Sequence, residues 1–200
     1  DGPELMTDII DVLTGIEPGS TLDEIRRTRE QARDNAQRSF EVLFEPEDPG
    51  TFSLAERYAV AAYTVALQAS ASPAATFYTE LLEDEVSPEL AAAVAELAKA
   101  DRCEGPYGEY KEAGLAAESA PGPTVSYAQR PDVVSERLAT ALEHAHLLSL
   151  HPRDAEATHL RRLEEAGWNA DDIVTLSQLI SFLAFQIRVV DGLLALKEAA

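Results

Sequence analysis

Residues 168–194 read WNADDIVTLSQLISFLAFQIRVVDGLL, and their pattern decides the fold class. Asn169 is a helix N-cap residue with Asp172 three positions on, which marks a helix start. From there Ile173, Leu176, Leu179, Ile180, Leu183, Ile187, Val190 and Leu194 recur at three- and four-residue spacing, the period of an apolar helix face. Gln178, Gln186, Arg188 and Asp191 interrupt the run. The uncharged part, 173–187, is shorter than the roughly 20 apolar residues that cross a bilayer. The stretch therefore predicts a long core helix of a soluble protein, whose polar side chains need partners. Arg188 and Asp191, three apart, are expected to form a buried ion pair that fixes helix packing or a subunit interface. The functional alternative has Arg188, Gln178 and Trp168 lining a cleft, with Asp191 beside it.

The rest of the chain reads as all-α. Its 200 residues suit one domain, 1–200, with an N-terminal helical extension at 1–50 and a long loop at 101–130. Alanine, leucine and glutamate dominate, aromatics are few, and turn residues cluster, as in helical proteins. A formal net charge of −20 repels nucleic acid and anionic membrane surfaces, so neither is an expected partner. Arginine outnumbers lysine by 13 to 3, which alongside abundant alanine reflects genomic composition rather than a phosphate site. The single cysteine, Cys103, rules out an intramolecular disulfide or a thiol metal cluster within one chain. The N-terminal DGPELMTDIIDVL has no basic region ahead of an apolar run, so the expected localisation is cytoplasmic.

Caps and breakers divide the chain. A short helix is expected at 4–13, stopped by Gly15 and Pro18-Gly19. A second begins at Thr21, with Glu24 completing a capping box, and runs to Phe44; its middle, RRTREQARDNAQR, is charged almost all round and is expected to lie on the surface or bridge subunits. After the turn at 45–50, Ser53 and Glu56 cap a third helix through Ala69. Pro73 interrupts the pattern, a further helix runs to Glu83, and Ser87-Pro88 opens the next, which reaches Ala100. The glycines and prolines of 101–130 mark a lid, arm or disordered loop. Order resumes at Pro131 with a helix to Leu150, then a turn at 151–154, a helix to Glu165, a left-handed stop at Gly167 and the long helix. Segments 53–68 and 169–184 share a layout that suggests duplicated helical units.

The string HPRDAEATHLRRLEEAGWNADDIVTLSQLISFLAFQIRVVDGLL, 151–194, resembles the C-terminal half of the alkylhydroperoxidase D-like, carboxymuconolactone decarboxylase (CMD) superfamily, and most closely its peroxidase-related branch. There a Pro-x-Asp turn, a short helix, a Gly-aromatic cap and a long helix ending in Arg and Asp-Gly occur in that order. The upstream SLAERYAVAAYTVALQASASPAATFY, 53–78, resembles the family's catalytic helix pair. The resemblance implies a helical bundle assembled as a homo-oligomer, a trimer or hexamer, and a redox pair of cysteines served by a Glu and a His. In register, Ser70 and Pro73 stand at the cysteine positions, Phe77 at the His and Tyr58 at the Glu. Serine cannot cycle through sulfenic acid and disulfide, and proline is no nucleophile, so thiol peroxidase chemistry is not expected. Acidic flanks raise the pKa of Cys103 and no second cysteine can resolve it, so an inert thiol is expected there; a peroxidase using Cys103 with an external reductant is the least favoured reading.

Two functions remain from the resemblance. One is a divergent, non-thiol protein that binds or transforms a small organic molecule; the other is a pseudoenzyme that acts as partner or scaffold of an active, cysteine-containing paralogue. Tyr58, Tyr63 and Tyr78 could add polar tips to a cleft, although aromatic residues at helical spacing usually belong to a core. Glu143 and His146 form one Glu-x-x-His, where diiron carboxylate proteins need two, so no metal is expected and these side chains read as surface or interface. His144 points to another face, His151 belongs to a turn, and His159 reads as solvated. With no phosphate-binding glycine loop, nucleophile elbow or zinc spacing, no cofactor is expected.

Overall fold

The computed structural model describes residues 8–103, 108, 113–119 and 122–199. They form α1 (Ile9–Thr14), α2 (Thr21–Arg27), α3 (Glu30–Phe44), α4 (Leu54–Ala69), α5 (Pro73–Glu85), α6 (Pro88–Asp101), α7 (Glu136–Leu150), α8 (Ala157–Glu165) and α9 (Ala170–Ala199), with short 3-10 turns at Ala113–Glu118 and Pro152–Asp154. No β-strand occurs among the described residues, and the fold is an all-α helical bundle. The expected helix at 4–13 is present from Ile9; its earlier residues lie outside the described ones, as do parts of the 101–130 loop.

Serine hydroxyls start most of these helices. Ser20, Ser53, Ser72, Ser87 and Ser135 each accept a backbone N–H in the first turn of α2, α4, α5, α6 and α7. At α4 the Glu56 carboxylate also returns to the Ser53 N–H and completes the capping box. Ser20 caps α2 one residue before the expected Thr21, because its hydroxyl reaches Asp23 N–H. Likewise α7 begins at Glu136 under Ser135, not at Pro131, whose carbonyl instead accepts from Val134 N–H in a turn.

The charged segment after Thr21 is two helices, not one. A continuous helix would hold residues 26 and 33 about 10 Å apart along its axis. The break after Arg27 lets both guanidiniums converge on α1: Arg26 pairs with Asp8 and Asp11, and Arg33 reaches Asp11 at 3.0 Å and Asp23 at 3.7 Å. Asp23 also accepts from Gly19 N–H and Arg27, which holds its carboxyl below the usual carboxylate range. Arg26 is buried, so part of this segment belongs to the interior of the N-terminal layer rather than to the surface.

α4 sits at the centre of the bundle and packs on α5, α6, α7 and α9. It is apolar all round, and its Ala59, Ala61 and Ala62 let neighbouring helices approach closely. α9 packs against α4, α7, α1 and α3, burying Leu176, Leu179, Leu183 and Val190; each fully buried leucine contributes about 1.5–3 kcal/mol. By length and composition α9 is also long and apolar enough to cross a membrane, and 39% of that stretch is buried in this fold.

Two arginines, Arg57 buried and Arg137 half-buried, tie the helix ends together. Arg57 donates to the carbonyls of Phe52, Leu43 and Pro49 and lies over the Phe52 ring. Arg137 joins the starts of α4 and α9: it pairs with Glu56 at 2.6 Å and Asp172 at 3.5 Å, donates to the carbonyls of Gly167 and Thr51, and stacks 3.9 Å over Trp168. Trp168 in turn donates to the Arg137 carbonyl and packs edge-on to Phe52. The Gly167 turn has the left-handed φ of 101° that a side chain would oppose, and it swings Trp168 into this node.

Candidate functional site

All four histidines of the chain face one cavity of about 150 Å³. α7 contributes His144 and His146 along with Glu143, the turn after α7 contributes His151, and α8 contributes His159 and Arg162. The segment through Val125 forms the remaining wall, and Leu147 and Leu163 make the floor apolar. His144 and His146 are buried and Glu143 is half-buried, where surface or interface positions were expected, and the wall segment packs over this part of α7.

Hydrogen bonds settle how the proton sits on His144. Ser177 Oγ donates to the Ile173 carbonyl at 2.9 Å, so its one proton is committed. It therefore accepts from His144 Nε2 at 3.1 Å, which leaves Nδ1 as a bare lone pair. That nitrogen is buried and has no hydrogen-bond partner among the described residues, and the whole residue is only 6% exposed. Burial, with a smaller repulsion from His159, pushes the His144 pKa down to about 4, so the ring is neutral at neutral pH.

The other histidines are committed differently. His146 Nε2 faces the Asp101 carbonyl at 3.3 Å, and burial lowers its pKa against the pull of that contact. Its ring stacks on His151, with centroids 5.7 Å apart. His151 contacts Asp154 through Nδ1 and the Pro123 carbonyl through Nε2, fastening the wall segment to the end of α7. His159 Nδ1 accepts from Glu156 N–H at the start of α8.

A polar network anchors the same wall from behind. Tyr127 N–H donates to Glu143 Oε1 at 2.7 Å, and its phenol bridges Tyr63 and Asp101, at 2.7 and 2.9 Å. Burial pushes the phenols of Tyr63 and Tyr127 well above their ordinary pKa, so both act as neutral hydrogen-bonding groups. Glu143 takes both Arg162 nitrogens, Nε at 2.7 Å and Nη2 at 3.1 Å, a bidentate pair at the cavity rim. No group of three or more His, Cys, Asp or Glu among the described residues has the geometry of a metal site.

The residues singled out from sequence do not gather into one cleft. Ser70 ends α4 and Pro73 opens α5, both exposed; Tyr58 stands roughly 18 Å along α4 from Ser70. Phe77 packs with Phe40 and Tyr78, and Tyr78 donates to Gln186 at 2.6 Å. Tyr63 belongs to the Tyr127 network, and Trp168 to the Arg137 node. Arg188 and Asp191 are exposed, and no ion pair joins them among the described residues, because one step past the buried Ile187 turns Arg188 about 100° away from the core. Arg188 instead borders an open cleft with Gln68 and Cys103, while Gln178 borders a groove with Val42 and Phe185. The buried glutamine of α9 is Gln186.

The histidine cavity was missed because each histidine was weighed on its own element. The available signal was their crowding: all four fall between positions 144 and 159, flanking a single helix-turn-helix. Compared with known proteins, the chain matches no family model, and no curated protein matches it.

Proposed function

We propose that this chain is a divergent, non-thiol protein of the alkylhydroperoxidase D-like, CMD type that binds a small organic molecule in the histidine cavity. One observation carries the binding reading: all four histidines, a neutral His144 among them, line one cavity of about 150 Å³. A cavity near 150 Å³ suits a molecule of about benzene's size. At neutral pH, protonating a group of pKa about 4 costs about 4 kcal/mol, so His144 serves better as a hydrogen-bond acceptor than as a general base.

The family part of the proposal is supported by the turn at Pro152–Asp154, α8, the left-handed Gly167 and the Asn169-capped α9, which follow in the order of the resemblance. In this reading α9 is the core helix of a cytoplasmic protein, packed on α1, α3, α4, α7 and α8. The test is a screen of small fragments by imidazole ¹⁵N spectra. The expected result is a set of fragments that shift His144 and His159 together, with the shifts abolished in His144→Phe, which fills the cavity. Binders that leave both rings unmoved would refute the assignment of the cavity.

A second reading, an inactive partner or scaffold of a related subunit or of further copies of itself, draws on a different observation. Val42, Val174 and Phe185 are exposed along one groove, and Ile25 and Leu196 continue the apolar surface past Phe185. Under that reading Phe185→Glu lowers the assembly state measured by light scattering, and an unchanged mass refutes it.

A further inference from the structure

Resting on the assembly reading and giving it a definite partner, we propose that the outer face of α9 docks on the same face of a second copy of this chain, antiparallel about a two-fold axis. α9 is apolar enough along its length to cross a membrane, yet only 39% of that stretch is buried. A helix apolar all round is ordinarily covered all round. The uncovered side carries Asp171, Val174, Gln178, Ser181, Phe185 and Arg188, all exposed. Their spacing of three, four, three, four and three keeps them on one face, in the repeat that lets two helices pack along their length. Val42 of α3 and Leu160 of α8, also exposed, line the same groove and widen its apolar part.

The order of residues along this face names the occupant. Place the two-fold axis between residues 179 and 180 of an antiparallel pair, and Val174 meets Phe185 of the second copy, Gln178 meets Ser181, and Asp171 meets Arg188, each contact occurring twice. Apolar faces apolar, an amide faces a hydroxyl, and an acid faces a base. Within one chain Asp171 and Arg188 stand about 26 Å apart along the helix, so their charges can meet only between copies. Exposed ion pairs of this kind add little affinity and act instead on register and partner choice. A bilayer would strand the charges and the amide of this face, and a chain of net charge −20 is repelled by an anionic one. An unrelated partner would need its own matching row, which the second copy already carries.

The experiment uses the full-length protein with Asp171→Arg and Arg188→Glu made as single variants. Each alone sets like charges against each other twice, and each is expected to self-associate about tenfold more weakly than wild type in sedimentation velocity. Mixed, the two restore both acid–base contacts. Native mass spectrometry, with one variant ¹⁵N-labelled, is therefore expected to find the mixed dimer well above the statistical half. Asp171 lies in the first turn of α9. If its replacement loosens the helix, Val174→Lys mixed with Phe185→Glu gives the same test one layer inward, with the same preference expected. A wild type that dissociates with Phe185→Glu while both mixtures stay statistical overturns the register and leaves the assembly reading standing. A wild type that stays monomeric throughout the micromolar range overturns the second copy as occupant; sedimentation of that monomer with phosphatidylcholine vesicles would assign the face to a bilayer instead. Association that neither Phe185→Glu nor either charge variant weakens belongs to another face, and overturns both this proposal and the assembly reading of the groove.

Discussion

Replacing Arg137 by leucine isolates the node that fastens α4, α7 and α9 together. The substitution removes the partner of Glu56 at 2.6 Å and of Asp172 at 3.5 Å, two carbonyl hydrogen bonds and the stack on Trp168. Leaving one partner of a buried ion pair uncompensated costs about 3–5 kcal/mol. Arg137 retains 23% of its side-chain exposure and its carboxylates 18% and 12%, so water recovers part of that loss and about 2–4 kcal/mol is expected. With a urea m-value of about 2 kcal/mol/M for a chain of this size, the unfolding midpoint falls by about 1–2 M at unchanged m. Circular dichroism in urea gives the measurement, and Arg188→Leu is the control. Arg188 is exposed and has no ion pair among the described residues, so its loss changes stability by less than about 0.5 kcal/mol. Adding Glu56→Gln to Arg137→Leu restores part of the loss, because the stranded charge goes with it. A loss below about 1 kcal/mol at Arg137, or an equal effect at Arg188, refutes the reasoning.

Three further outcomes are expected. The His144 pKa, about 4 when folded against 6.5 when unfolded, means the unfolded chain binds the extra proton between those values. Stability therefore falls as pH drops from about 6.5 to 4, by about 3 kcal/mol in full, and His144→Leu lacks that portion of the slope; identical pH profiles for both proteins count against it. Tyr63→Phe and Tyr127→Phe each cost about 1–3 kcal/mol but couple, since both break one hydrogen bond, so a strictly additive double mutant contradicts the network. Hydrogen peroxide consumption with a dithiol reductant is expected to be absent, and turnover that disappears in Cys103→Ser overturns the non-thiol reading.

Features carried by short-range rules were legible in the sequence. Caps at Ser53 and Ser87, the proline at the start of α5, the Gly167 stop and the Asn169 cap each act within one helical turn, and the helices follow them. The break after Arg27 was not legible, because no glycine or proline marks it; the ion pairs that reward it connect residues 10 to 25 positions apart. The candidate site was hidden for a related reason. A wall segment of irregular backbone covers α7 through His151, Tyr127 and Glu143, contacts that helical periodicity does not report. Arg188 was prominent as a charge in an apolar run, yet one step of 100° separates the buried face from the exposed one. Arg137, in a segment with no such contrast, carries the packing.

Among the described residues, two buried side-chain nitrogens, on His144 and Gln186, lack partners, and their surroundings differ. Gln186 is fully buried under the aromatic cluster of Tyr78, Phe44 and Phe77, and its carbonyl already accepts the Tyr78 hydroxyl. Rotating the amide exchanges its oxygen for its nitrogen opposite Tyr78, whose hydroxyl can donate or accept, so one amide atom stays unmatched in either orientation. That residue is a fixed cost to stability, offset by the packing around it. His144 has no such alternative orientation without losing Ser177, and it borders the histidine cavity. Replacing Gln186 by leucine should therefore leave ligand binding intact while removing an unsatisfied amide, at the expense of the Tyr78 contact. Replacing His144 should do the reverse: relieve the low-pH instability and remove binding. The two substitutions separate a buried polar group that lies only in the core from one that borders the proposed binding cavity.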